Sequence, residues 1–381
     1  MTTMKKLSLH EPVFAGNEWA YVKECLDTGW VSSAGKFVDR FEAELARRAG
    51  TKHAVAAVNG TAALDLALKI LGVKAGDEVI VPSLTFIATA NAVAYQGAVP
   101  LFLDVEEATL GLNPDALETF LAKETDIRNG ACVRRESGRR IAACVPMHAL
   151  GHPVRIEPLL AACAERAIPV IEDAAEALGT SWHGRPLGSF GRIGVLSFNG
   201  NKIVTTGGGG ALTTDDDELA RRAKHLSTQA KSDADAFWHD AVGYNYRLPN
   251  VNAAIGCAQL EQLDGFVARK REIAALYRKH FAGTPLRLVW EPEGARSNFW
   301  LNSIIAPTPE DAARILGALR AHGFGARPLW APAHRQRVYK GAPCSDLTVT
   351  DRLWRTCVSL PSSASLTDED VDAVADCALG R

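Results

Sequence analysis

The chain has 381 residues, 42 Lys and Arg against 44 Asp and Glu, and 47% apolar residues; that is too long for one small core and long enough for a large domain with a smaller companion. A net charge of −2 gives no field that would gather nucleic acid or an anionic membrane surface. Eight scattered cysteines without a CxxC or a metal-ligand spacing argue against a disulfide framework and a metal site, and no N-terminal apolar segment or run of about 18 apolar residues marks export or a membrane span, so a cytoplasmic globular protein is expected.

In chain order, the first half alternates short apolar runs with helical patterns. HAVAAV (53–58) predicts a buried strand, and TAALDLALKILG a helix stopped by Gly72. EVIVP predicts a second strand, TFIATANAVAYQG a helix ending in glycine, and VPLFLDV a third strand. The basic run VRRESGRR (133–140) reads as a solvated loop. AACVPMHAL predicts a fourth strand, PLLAACAERA a helix, and IPVIEDAAEA a strand running into a turn; GVLSFN and GGALTTDD predict two more strands. Such alternation implies an α/β architecture with a mostly parallel sheet covered on both faces. Beyond Pro249 a helical stretch over 253–281 leads into LRLVW, FWLNSIIA and EDAARILGALRAHG, a smaller α+β unit. The expected division is a large domain over 1–250, N-terminal segment included, and a smaller one over 251–381.

Ligands of open α/β sheets collect at the carboxyl ends of strands, so the residues just after each strand carry the functional reading. Asn59-Gly60-Thr61 precedes a helix and reads either as a phosphate cradle or as an ordinary N-cap. Phe86 could stack on a planar ligand or belong to the core. His148, in the last part of a strand, could face the site or be a satisfied core histidine. Asp173 ends an apolar strand, where it could hold a protonated ring nitrogen; with Glu176 three residues on it also has the spacing of a capping box. Ser197 ends another strand and Lys202 follows; the bland reading of Lys202 is a snorkelling surface lysine. Glycines 207–210 lead into a strand rather than a helix, which argues against a P-loop and against a dinucleotide-binding turn. Jointly, one sheet edge would offer a phosphate cradle, an aromatic, a carboxylate and an amine. A phosphorylated, aldehyde-bearing pyridine, pyridoxal 5′-phosphate, uses all four. The glycine run would then keep side chains from crowding the substrate.

The stretches NGTAALDLAL, PSLTFIATANA, HALGHP, VIEDAAEALG, SFNGNKIVTTGGGG, GYNYRLPNVNAAIGCAQL and ARPLWAPAHRQ resemble, in order and over nearly the whole chain, the DegT/DnrJ/EryC1/StrS family of pyridoxal-phosphate sugar aminotransferases, of the aspartate-aminotransferase fold (fold type I). The NGNK form of the lysine motif, and Glu176 where many members have glutamine, resemble the enzymes that aminate C4 of UDP-linked 4-keto-6-deoxy-N-acetyl sugars for surface glycans. The resemblance implies Lys202 as the Schiff-base lysine, Asp173 on the pyridine nitrogen, Phe86 on the ring, and Gly60, Thr61 and Ser197 on the phosphate. Glu176 is implied near the cofactor's phenolic oxygen or the substrate. The segment Gly243–Arg247 resembles one through which a second subunit completes the site, Asn245 reaching the other chain's cofactor phosphate; this implies a homodimer. His148, Arg247, Arg327 and His334 lie in segments that imply substrate contact. L-glutamate is the implied amino donor and a nucleotide keto sugar the acceptor, with no nucleic acid, membrane or metal involved. Some members carry histidine in place of the lysine and dehydrate sugars; Lys202 points to transamination. A 3-keto or a dTDP- or GDP-linked sugar, and a non-catalytic relative, are the competing readings.

Overall fold

A computed structural model describes residues 6–233 and 235–381. Its central sheet is built from β1 (His53–Ala57), β2 (Glu78–Pro82), β3 (Val99–Leu103), β4 (Ile141–Cys144), β5 (Ile171–Asp173), β6 (Ile193–Ser197) and β7 (Gly210–Thr214). The spatial order is β1-β7-β6-β5-β4-β2-β3, with β4 and β5 joined by the bridges Cys144–Val170 and Met147–Asp173. β7 runs antiparallel to both neighbours, and the remaining pairs are parallel. The expected parallel sheet is therefore interrupted by one reversed strand, the one that follows the glycine run.

Successive residues of a strand face opposite sides of a sheet. Ala54, Ala56, Ile80, Leu101 and Leu103 enter one core, whereas Val55, Ala57, Val79, Val81 and Phe102 enter the other. Both faces are thus covered, and the strands read as continuous apolar runs for that reason. α1 (Glu18–Thr28) and α2 (Lys36–Ala49) pack on the long helix Asn250–Phe281. α3 (Gly60–Ile70) and α4 (Ala88–Tyr95) pack against each other, α3 along β6 and β7 and α4 along β2 and β3. The first half of the long helix, Ala253 to Val267, joins the first core. Its second half places Ile273, Tyr277 and Phe281, four residues apart, in a third core with Leu288, Ile304 and Val358. That third core backs an antiparallel sheet of β8 (Arg287–Leu288), β9 (Ser303–Ile305), β10 (Arg327–Pro328) and β11 (Cys357–Ser359), in the order β8-β9-β11-β10.

The basic run is not simply a solvated loop. Ala131–Arg134 pairs with Thr125–Arg128 as a hairpin. Arg134 lies 3.5 Å from the buried Glu78, and Arg140 donates to Asp77 at 3.1 Å, so the run clamps the amino end of β2.

Candidate active site

A cleft of about 1340 Å³ opens at the carboxyl ends of β1, β5 and β6. It exceeds the ~300–1,000 Å³ of a typical small-molecule pocket. Its first wall is the start of α3. Asn59 leaves β1 in extended conformation, and its side chain accepts from the Ala62 N–H at 2.8 Å. The N-cap reading therefore holds for Asn59, and Gly60 and Thr61 still line the cleft. A Cβ built on Gly60 would stand 3.0 Å from Ser197 Cβ and 3.3 Å from its Oγ. Any side chain at 60 would fill the space between the helix start and Ser197. What remains is a small polar hollow at the positive end of a helix, which suits a phosphate.

The ring-sized space beyond it is bounded by Phe86 and Asp173. Phe86 is 53% exposed and lines the cleft rather than the core. Asp173 is 3% exposed; it accepts from Thr89 Oγ1 at 2.7 Å and from the Ala175 N–H at 3.2 Å. The capping box of the sequence reading does not form, because residues 175 and 176 form a turn and no helix starts there. Burial pushes the Asp173 carboxyl up, against the pull of Thr89, the Ala175 N–H and the Lys202 charge. A buried carboxylate at a cleft wall in this state favours a cationic partner, such as a protonated pyridine nitrogen.

Lys202 sits in the turn after β6, its N–H bonded to Asn199 O at 3.0 Å. Its side chain is 13% exposed, so it does not snorkel. Nζ lies 3.2 Å from Glu176 Oε1 and 4.1 Å from the centre of the Trp300 indole. Glu176 Oε2 accepts from the Leu150 N–H at 2.8 Å. Burial pushes the Glu176 carboxyl up, opposed by Lys202 and Leu150 and reinforced by Asp173. A cradle, an aromatic, a carboxylate and an amine thus converge on one cleft, and these residues fit pyridoxal phosphate.

Other expected site residues are placed elsewhere. β4 ends at Cys144, and His148 turns inward, fully buried, 3.0 Å from Glu172 and accepting from the Val154 N–H at 3.2 Å; it is a core histidine. His334 holds Ser83 Oγ at 2.7 Å and is not part of the cleft wall. Arg327 lines the cleft. Asn245 is exposed and Arg247 bridges to Ala57; neither faces the cleft of its own chain. The glycine run does not line it either. Gly207 has φ +80°, and a Cβ on Gly210 would lie 2.4 Å from Asn59 C, so the run lets β7 reverse beneath the β1–α3 turn.

The sequence reading missed Trp300, His10 and the whole segment Lys6–His10, all in the cleft wall. Trp300 is fixed by Nε1 on Asn201 O at 2.7 Å and by Asn298 Oδ1 on its N–H at 2.8 Å. The segment is held by Leu7 N–H on Gly323 O at 3.1 Å and Gly325 N–H on Leu7 O at 2.6 Å. Among the described residues no three His, Cys, Asp or Glu side chains cluster as a metal site, and no helix is long and apolar enough to cross a membrane.

Residues 13–378 match the DegT/DnrJ/EryC1/StrS aminotransferase family. A GDP-perosamine synthase of Escherichia coli O157:H7 is 38% identical over 368 residues, covering 97% of this chain and 96% of that one. EpsN of Bacillus subtilis (strain 168), named as a pyridoxal phosphate-dependent aminotransferase, is 37% identical over 379 residues, 96% of this chain and 93% of that one. The solved structure of the aminotransferase TlmJ from Streptoalloteichus hindustanus superposes with a TM-score of 0.89 at 31% identity, over 98% of this chain and 99% of that one. With the lysine, the carboxylate and the cradle in one cleft, these likenesses make the chain a member of the DegT/DnrJ/EryC1/StrS family, a pyridoxal-phosphate-dependent sugar aminotransferase of fold type I.

Proposed function

We propose that this enzyme moves an amino group from L-glutamate to the C4 keto carbon of a nucleotide-linked 4-keto-6-deoxy sugar destined for a surface glycan. The observation that carries the reading is the Lys202 amine and the buried Asp173 carboxylate facing one cleft beside the Gly60–Thr61–Ser197 hollow. Bound pyridoxal phosphate supplies an electron sink and a carbonyl that can carry an amino group between two substrates. The protein's residues do the rest. Gly60, Thr61 and Ser197 would hold the phosphate, Phe86 would lie against the ring, and Asp173 would keep a proton on the ring nitrogen. Lys202 Nζ takes a proton from the donor's α-carbon and later returns one to the sugar carbon, a transfer worth about 10²–10⁴ in rate. Glu176 Oε1, 3.2 Å away, holds that amine when it is free.

GDP is the favoured nucleotide, because the relative named GDP-perosamine synthase aligns with 97% of the chain. A UDP-linked N-acetyl sugar is the second reading, supported by the NGNK form around Lys202 and by Glu176. We further propose a cytoplasmic homodimer with shared sites. Supporting it are Asn245, exposed and outside the lining of its own cleft, and the exposed Trp19, Trp30, Phe237 and Trp238. The test is a half-reaction panel. The pyridoxamine form of the enzyme, prepared with L-glutamate, is mixed with GDP-, UDP- and dTDP-linked 4-keto and 3-keto sugars. Return of the visible absorbance and a new amino sugar are expected first with the GDP-linked 4-keto sugar. Turnover of 3-keto sugars alone overturns the C4 assignment.

A further inference from the structure

Resting on the sugar-nucleotide reading above, we propose that Lys6, Arg320 and Arg327 form the subsite for the substrate's diphosphate. All three line the cleft that holds Lys202. The carboxylates of that wall, Asp173 and Glu176, stand at the other end beside Lys202. Among the described residues, no carboxylate pairs with Lys6, Arg320 or Arg327. Elsewhere in the chain Arg335 is paired with Asp351, and Arg269 with Asp368. Three uncompensated cations on one wall set up a field that an anion would neutralise.

One loop gathers them. A Cβ built on Gly323 would lie 3.5 Å from Lys6 Cγ, and Arg320 Nε donates to Ala326 O at 3.2 Å. Arg327 follows directly as the first residue of β10. Gly325 has no room for a side chain, since its Cβ would meet Leu9 N at 2.4 Å, so the N-terminal segment presses flat on this loop. Toward the lysine the wall changes character. His10 is pushed below its usual pKa by burial and by the Lys270 and Lys202 charges, and its Nδ1 has no partner. A neutral imidazole there suits a sugar hydroxyl rather than a phosphate. Lys6 and His10 are separated by at most about 14 Å of chain, the scale of a hexose joined to a diphosphate.

The test uses pyridoxal-phosphate-loaded enzyme and calorimetric titration with GDP, UDP and inorganic pyrophosphate at low and high salt. Lys6→Ala, Arg320→Gln and Arg327→Ala are each expected to weaken all three ligands about tenfold, and Lys6→Arg to restore most of the loss. Affinity should fall as salt rises. Melting temperatures confirm that each variant is folded. Wild-type affinities in all three variants overturn the subsite, as does a loss confined to the glutamate half-reaction, which would assign the cations to the donor's carboxylate. A wild-type enzyme that binds GDP through these cations but aminates no keto sugar overturns the functional reading and leaves the subsite standing.

Discussion

The Lys202 ammonium and the Glu176 carboxylate are held together from opposite directions, one by a turn after β6 and an indole face, the other by the Leu150 N–H. Lys202→Ala should lower turnover by at least about 10²-fold. Borohydride treatment of the loaded wild type, followed by peptide mapping, should label Lys202; a label on any other lysine would sink the assignment. Asp173→Asn keeps an acceptor for the Ala175 N–H and turns an NH2 donor toward the Thr89 hydroxyl, which can rotate to accept from it. It should therefore melt within a few degrees of wild type while its rate falls by at least about 10²-fold. A collapsed melting temperature with an unchanged rate per folded molecule would make Asp173 structural. Lys202 and Asp173 were legible in the sequence because a strand's end fixes where the next side chain stands. His148 was not: the strand stops earlier than its apolar run, and Glu172 draws the imidazole inward.

At the scale of elements, the glycines of the run differ in what they require, and three of them predict a graded series. Gly208 has open space around its Cβ direction, so Gly208→Ala should be neutral. Gly207, at φ +80°, should lose about 1 kcal/mol as alanine. Gly210→Ala would drive a Cβ into the Asn59 backbone and should cost about 3 kcal/mol, disturbing the cradle as well. Urea melts of the three variants check the order. A uniform loss across them would mean that the run acts as a flexible linker. The run itself was conspicuous in the sequence, but its partner was not. The β1–α3 turn lies about 150 positions upstream, and it is the antiparallel insertion of β7 between β1 and β6 that brings the two together.

For the whole molecule, long-range burial sets the pH response. His152 is completely buried against Phe299, both ring nitrogens lack partners, and desolvation lowers its pKa to about 4. The unfolded chain takes up that proton near pH 6.5, and the folded chain refuses it. Stability is therefore full above pH 6.5 and lost as pH falls toward 4, by about 3 kcal/mol for this residue. His152→Leu should flatten the drop in melting temperature between pH 7.5 and 5, leaving a remainder from His10, which is shifted the same way. An unchanged pH profile in the variant would show that the imidazole is hydrated. Lys270 reports the same economy of scale: fully buried, with its pKa lowered to about 7 by desolvation, it donates to Trp300 O at 3.0 Å and to Ser362 O, tying the long helix to the cleft wall. By itself the sequence determined the alternation of strands and helices, the helix that starts after Asn59, and the strand-end positions of Lys202 and Asp173, because these rest on side-chain period and on the order of residues at strand ends. Tertiary structure alone decided that Leu7 would dock on Gly323, that Trp300 would floor the lysine, and that His148 would turn away. Those choices depend on contacts between segments far apart in the chain, which leave no local period to read.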